Sequence, residues 1–542
     1  MSSKKICVIG AGVSGLVAVK SCLEEGLNVV CYDMCDSVGG LWNYKDECIE
    51  GIGSVMKSTV LNTSKEMTSY SDFPPPKHYP NYMHHSLFCR YLENYAINFR
   101  LFPHIRLNTE VIRVQKTEDY PTTGQWKITL KEKTNEMKEV VFDGVMICSG
   151  HYSHPNMPKF PGLDIFRGEK LHAHQYRQEN EYRGKRVLVV GFGNSSCDIA
   201  VELSKVAKEV YLSTRRGVWL LSRMAVGGLP TDIKYKSRFL NYITHYVAPQ
   251  ITNFIAEFKA NMRFNHSVFG IKPKHRFFSQ HPTINDEIPI RILTGSLTIK
   301  DDVHKFTETG VIFSDDCESV CNIDSVIFAT GYRIRFQFLE ENIIEQTNNQ
   351  VNLYKYVFPP QLPHPTLAVI GLVQALGALP ALTEIQSRWV SRVFKGTCHL
   401  PAKSTMIDDI ERKRWEINQQ YFASDSHTVQ VDYIWYLDEL SRLIAAKPDF
   451  RYMLLSDPEL FFSCFFGPML SYTYRLTGPY QWKGARNAIL TAKKRVLAPL
   501  KTRHVPEQTP QTSVLENLFR CPIALISLAV IITAIILVFY QT

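Results

Sequence analysis

The chain contains no CxxC pair. Its 13 cysteines are scattered, and pairs such as Cys31/Cys35 and Cys317/Cys321 leave three residues between partners. Zinc-ribbon and thioredoxin-type redox chemistry are thereby excluded, and the odd count argues against a disulfide scaffold. Buried thiols in a reducing compartment are the expectation. A basic stripe with interleaved aromatics is also missing. The net charge of +9 is thin over 542 residues, so no nucleic-acid partner is expected. Disorder is excluded too, because charged residues make up 21% of the chain against 45% hydrophobic. No cleaved leader is expected, since Met1–Lys5 runs straight into the apolar strand and glycine turn of Ile6–Gly15.

One long stretch has no charge at all. Pro522–Tyr540 reads PIALISLAVIITAIILVFY, close to the roughly 20 residues that span a bilayer. Arg520 precedes it, with Lys493, Lys494, Arg495, Lys501 and Arg503 upstream. Positive charge on that side places the bulk of the protein in the cytosol, behind a C-terminal transmembrane helix.

Elsewhere the pattern is α/β. Lys5–Ile9 reads as a strand, Gly10–Gly15 as a turn, Leu16–Leu23 as a helix and Asn28–Tyr32 as a second strand ending at Asp33. A proline-rich loop (71–80), a helix from about Leu87 to Phe99 and a strand over Val140–Ile147 follow. After a proline-marked link the grammar restarts. Arg186–Val190 is a strand, Gly191–Ser196 a turn, Ile199–Ser204 helical and Glu209–Ser213 a strand. Ser325–Phe328 and Thr366–Gly371 are later strands. The expected fold is two Rossmann-like dinucleotide-binding domains, the second inserted in the first. The first domain takes residues 1–155 and returns over 331–505. The second takes 156–330, with a mixed, aromatic-rich insertion at about 220–290. A linker (506–521) leads to the anchor (522–540).

The first turn, Gly10-Ala11-Gly12-Val13-Ser14-Gly15, is GxGxxG between a strand and a helix, with an acid closing the next strand. Gly10 makes the tight turn, Gly12 admits a pyrophosphate and Gly15 lets helix and strand pack. The helix N-terminus faces the phosphates. Asp33 accepts from ribose hydroxyls and repels a 2′-phosphate, which favours FAD or NAD. Gly40-Leu41-Trp42, after Gly39, adds a second close backbone approach. The second turn, Gly191-Phe192-Gly193-Asn194-Ser195-Ser196, has serine for the third glycine. The strand after it ends in Thr214-Arg215-Arg216, where guanidinium groups suit a 2′-phosphate and hence NADPH. One acid-ended and one arginine-ended fold together indicate FAD and NADPH, with hydride passing to the flavin.

Several stretches resemble the flavin-containing monooxygenases. Phe166-Arg167-Gly168-Glu169-Lys170-Leu171-His172-Ala173-His174-Gln175-Tyr176 matches the family's FxGxxxHxxx(F/Y) motif between the two turns. Asn62-Thr63-Ser64-Lys65, Lys274-His275-Arg276, Ala329-Thr330-Gly331-Tyr332, Glu384–Trp389 and the apolar tail also resemble family segments. No paired cysteine follows the first turn, so the disulfide reductases are a poor match. The resemblance implies a C4a-hydroperoxyflavin shielded by NADP+, whose distal oxygen is taken by a soft nitrogen or sulfur of a lipophilic substrate. It implies that Asn62, with Thr63 beside it, lies at the flavin and nicotinamide, and that Gln374 contacts NADP+. It also implies residence at the endoplasmic reticulum membrane; a homo-oligomer is left open. Baeyer–Villiger oxygenation of ketones and an NADPH oxidase releasing H2O2 stay open as alternatives. The motif-ending Tyr176, where the Baeyer–Villiger group has tryptophan, weighs mildly against the former. Trp219 and the aromatics of 220–290 are candidates for the substrate entrance, a membrane contact or a subunit interface, the first two preferred. Phe461–Phe466 is a second apolar patch and a candidate for lipid contact, with ordinary core the alternative for both.

Overall fold

The computed structural model describes residues 3–246, 249–314, 319–340, 342–347, 349–421 and 428–503. The linker and the apolar run 522–540 lie outside these. Among the described residues no helix is long and apolar enough to cross a membrane.

Two five-stranded sheets organise the chain. In the first the order is Leu367–Val369, Gly144–Ile147, Lys5–Ile9, Asn28–Tyr32, Ile105–Arg106, every pair parallel. In the second it is Thr298–Lys300, Glu209–Ser213, Arg186–Val190, Ser325–Phe328, Glu169–His172, again all parallel. The central strands are apolar runs buried on both faces, as parallel sheets require. The second sheet is assembled between two neighbouring strands of the first, Gly144–Ile147 and Leu367–Val369. The chain crosses out and back side by side, with Pro155 bridged to Tyr332.

The stretch read as one strand over Val140–Ile147 is two. Met137–Phe142 closes a three-stranded antiparallel sheet, and Gly144–Ile147 enters the first parallel sheet. The switch falls where Asp143 accepts from the Lys5 amide at 2.7 Å. A Cβ at Gly144 would stand 3.0 Å from the Phe394 ring, so a glycine lets the strand turn in.

The insertion resolves into helices Thr231–Tyr235, Arg238–Tyr246 and Pro249–Arg263, above a short parallel pair, Leu220–Leu221 with Thr283–Ile284. Its aromatics divide. Trp219 and Phe277 are core, whereas Phe254 and Phe258 are exposed. Phe461 and Phe465 are also buried, and Phe465 and Phe466 pack against Phe239 of the insertion. Arg238 and Asp438, both 1% exposed, pair at 2.6 Å and fasten the insertion to the helix Tyr433–Leu443. All eleven cysteines among the described residues are unpaired, six of them buried.

Candidate active site

A single cavity of about 2870 Å³ runs from the first glycine turn, past Asn62, to the second turn and the insertion. Pockets for one drug-sized ligand measure roughly 300–1,000 Å³, so this one has room for more than one molecule.

The first turn is closed by backbone. Gly10 has φ +101°, and its amide donates to Tyr32 O at 2.8 Å. A Cβ at Gly15 would fall 1.7 Å from Gly10 O, which fixes glycine there. Gly40, at φ +55°, approaches Gly12 so nearly that its Cβ would lie 3.0 Å from Gly12 Cα. Asp33 is braced on both oxygens, taking the Ala11 amide at 2.6 Å and the Cys35 amide at 2.8 Å. Each oxygen keeps a second lone pair for a ribose hydroxyl. Burial raises the Asp33 carboxyl above its usual range, against the pull of those two amides. The glycine cradle, the helix N-terminus and an acid on the cavity wall fit a flavin dinucleotide.

The second turn follows the same plan at first. Gly191 has φ +112° and donates to Ser213 O at 3.1 Å. Ser196 is fully buried, and its hydroxyl accepts from Gly193 N at 2.7 Å and donates to Gly193 O at 2.9 Å. The serine thus ties the turn with bonds no glycine can make. A Cβ at Gly193 would meet nothing within 4 Å, so the space before this helix is open. Asn194 Oδ1 accepts from Ile284 N at 2.8 Å, fixing the insertion to the turn.

Asn62 lines the cavity between the turns, half-buried. Its Oδ1 accepts from Arg223 Nη2 at 2.7 Å. A guanidinium only donates, so the amide is oriented with oxygen towards Arg223 and its Nδ2 left as the donor. Two residues on, Ser64 N donates to Asp232 Oδ2 at 2.6 Å. The cavity wall also carries Asp198, which burial pushes up to about 6 although Arg223 opposes this. Burial takes His172 down to about 4, so it is neutral near pH 7. Its Nδ1 accepts from His174 N at 3.0 Å, which places the ring proton on Nε2.

Of the residues expected from sequence, Gly10, Gly12, Asp33, Gly40, Leu41, Trp42, Asn62, Thr63, Gly193, Asn194, Ser195, Ser196, Ala329, Gly331 and Gln374 line this one cavity. Gly15 and Gly191 shape their turns from behind the wall. Thr330 donates to Asn156 O at 2.7 Å and ties the two crossing segments. Thr214 is buried and takes the Gly217 amide. Arg215 and Arg216 are exposed at the end of their strand, outside the cavity lining. Tyr176 is buried, with its hydroxyl on Glu202 at 2.9 Å, so the last residue of the motif lies outside the cavity lining. Gln386, in the segment Glu384–Trp389, accepts from Gly371 N at 2.8 Å and steadies the turn leading to Gln374. Sequence reasoning missed Arg223, Asp232 and Asp198. No local pattern marks them, because they reach the site through tertiary packing.

The family described as flavin-binding monooxygenase-like matches residues 3–540. Flavin-containing monooxygenase 5 of Rattus norvegicus is 44% identical over 542 residues, 100% of both chains. Dimethylaniline monooxygenase (N-oxide-forming) 2 of Macaca mulatta is 44% identical over 503 residues, 92% of this chain and 94% of that one. Among solved structures, S-allyl-L-cysteine S-oxygenase from Allium sativum aligns with TM-score 0.62 at 22% identity, covering 85% of this chain and 95% of that one. Cyclohexanone monooxygenase from Rhodococcus sp. Phi1 bound to NADP+ aligns with TM-score 0.57 at 18% identity, covering 82% and 98%. At these identities the two structures establish the α/β fold with its Rossmann-like sheets.

Proposed function

The chain belongs to the flavin-binding monooxygenase-like family, as an oxidoreductase using FAD and NADPH, and on that premise we propose that it oxygenates soft nitrogen and sulfur atoms of lipophilic small molecules. The observation that carries this reading is the shared cavity, with both glycine turns at its wall and Asn62 between them. Bound FAD, reduced by NADPH, supplies the activated oxygen. The chain's own residues do the rest. Gly12, Gly40 and Asp33 hold the first dinucleotide. The N-terminus of the helix Asn194–Leu203 and Arg215–Arg216 take the second. Asn62 Nδ2 offers a hydrogen bond where flavin and nicotinamide meet. Ile9, Val13, Leu61, Leu220, Phe277 and Leu379 are among the apolar wall residues that exclude water. No acid–base dyad acting on substrate is needed, because a soft nucleophile attacks without losing a proton first. The macaque relative's name, N-oxide-forming, supports nitrogen as one acceptor.

The test is a panel of a tertiary amine, a thioether and a ketone, with products identified by mass spectrometry. N-oxide and sulfoxide are expected. Ester from the ketone, with neither oxide, would replace this reading with Baeyer–Villiger chemistry.

We further propose that the protein sits at the endoplasmic reticulum membrane, facing the cytosol. Support comes from the uncharged run 522–540 and from the helix Pro249–Arg263. That helix leaves Ile251, Phe254, Phe258 and Met262 exposed, at 52, 64, 58 and 71%. Isolated exposed apolar residues are ordinary, but a row at helical spacing marks a contact surface. Carbonate extraction of microsomes should leave the full chain in the pellet. A chain ending at residue 503 should move towards the soluble fraction, and release of the full chain would overturn the anchor.

A further inference from the structure

Residues 222–232 form a small self-closed loop in the insertion. Thr231 N donates to Arg223 O at 2.9 Å, Ala225 N to Leu229 O at 2.9 Å, and Thr231 Oγ1 to Ser222 O at 2.6 Å. Gly227 and Gly228, both at positive φ, turn its tip. The base of this loop grips the Asn62 segment twice, once by Arg223 on the Asn62 side chain and once by Asp232 on the Ser64 amide. The contacts span 161 and 168 residues of chain. Tyr82 adds a third tie through its hydroxyl to Arg223 O. Behind the loop, Asp286 Oδ2 pairs with Arg223 Nη1 at 3.3 Å and Asp286 Oδ1 takes the Arg223 amide at 3.2 Å.

We infer that Arg223 and Asp232 are positioning residues that set the Asn62 amide for catalysis, so that Asn62 acts only while the insertion is docked on the first sheet's domain. This rests on the reading of Asn62 given above. An amide turned over would set its NH2 against a guanidinium, two donors face to face. Arg223 therefore selects one of the two orientations of Asn62. Asp232 works on the backbone. A carboxylate accepting a backbone N–H makes a short, charge-assisted bond, and this one pins the chain two residues after Asn62. Neither residue needs to touch substrate.

The consequence is read in the fate of oxygen. In coupled turnover, NADPH and one proton with O2 and substrate give NADP+, one water and one oxygenated product. In uncoupled turnover the same two electrons reduce O2 to H2O2. The experiment uses flavin-loaded full-length protein and a thioether. It measures H2O2 per NADPH consumed and the Kd of NADP+ by equilibrium titration. Arg223→Met should raise the peroxide fraction several-fold and weaken NADP+ binding about tenfold, and Asn62→Ala should do the same. In the double variant the effects should not multiply, since removing Asn62 leaves Arg223 nothing to position. Asp232→Asn, which keeps an acceptor, should recover much of what Asp232→Ala loses. Flavin content and Tm, recorded for every variant, separate these effects from unfolding. Independent, multiplying effects of Arg223→Met and Asn62→Ala would overturn the inference and leave the role of Asn62 standing. So would an Arg223→Met protein changed only in Tm. If Asn62→Ala matches the parent protein, the reading of Asn62 fails, and the positioning role falls with it. Should Arg223→Met yield no flavin-loaded protein, Arg223→Lys, with one donor group in place of the fork, provides the same comparison.

Discussion

The two glycine turns share one plan for their first residue and diverge after it. Gly10 and Gly191 each sit at positive φ and donate to the last residue of the neighbouring strand. A Cβ on either would strike a carbonyl on the sheet's other side, Cys148 O at 2.7 Å or Ala329 O at 2.6 Å. At the next glycine they part. Gly12 is walled by Gly40, whereas Gly193 faces open space. The strand after the first turn ends in an acid braced by two amides at the cavity wall, and the strand after the second in two exposed arginines. One βαβ frame therefore gives one turn closed over by a second backbone segment and one left open; on the proposed function the first suits the resident flavin and the second the exchanging NADPH.

The largest effect that sharpens this contrast is expected from Gly15→Ala. With Gly10 O only 1.7 Å from the new methyl group, the turn cannot close, and purified protein should carry almost no flavin by absorbance. Gly193→Ala breaks the symmetry. It should keep full flavin and a near-parental Tm while raising KM for NADPH about tenfold, because its methyl group occupies the space left for a pyrophosphate. Flavin loss in both variants alike would break the comparison. Next is the joint change of Arg215 and Arg216 to Ala. Losing charge-assisted bonds worth about 1.5–3 kcal/mol should cut the preference for NADPH over NADH, read as a ratio of kcat/KM, by about ten- to a hundredfold.

Asp198, midway along the helix Asn194–Leu203, gives a smaller, pH-dependent effect. Its carboxyl is raised to about 6 by burial, against about 3.9 in the unfolded chain. The ionised form is therefore disfavoured on folding. That cost is absent below about pH 4, grows between the two values and is complete above about pH 6. Asp198→Asn should be more stable than the parent by about 1 kcal/mol at pH 8, after allowance for screening, with the gain gone by about pH 4. Urea melts at several pH values read this directly. Of the same small size is Ser196→Gly, which restores the third glycine but deletes the bonds to Gly193. A loss of about 1 kcal/mol and unchanged flavin content are expected.

Much of the frame was legible because strands bounded by turn glycines announce both their ends. Lys5–Ile9, Asn28–Tyr32, Arg186–Val190, Glu209–Ser213 and Ser325–Phe328 run as the sequence indicates. Where an apolar run changes sheets, as at Asp143, periodicity carries no mark of the switch. The insertion was illegible for a different reason. Phe254 and Phe277 look alike in sequence, yet one is exposed and the other is core. Asn62 was visible only through its motif. Arg223 and Asp232 meet the Asn62 segment across more than 160 residues, so no spacing reveals them. The histidine motif was recognisable, but its terminal Tyr176 works by bonding Glu202 rather than at the cavity wall.

Both glycine turns open into one cavity, where, on the proposed function, electrons from NADPH and an oxygen atom from O2 reach a soft nucleophile. Turnover of a thioether under isotopically labelled O2, with NADPH, sulfoxide and H2O2 all counted, tests it most directly. One labelled sulfoxide per NADPH and little peroxide are expected. Peroxide equal to the NADPH consumed, with no labelled product, would contradict it and make the protein an oxidase.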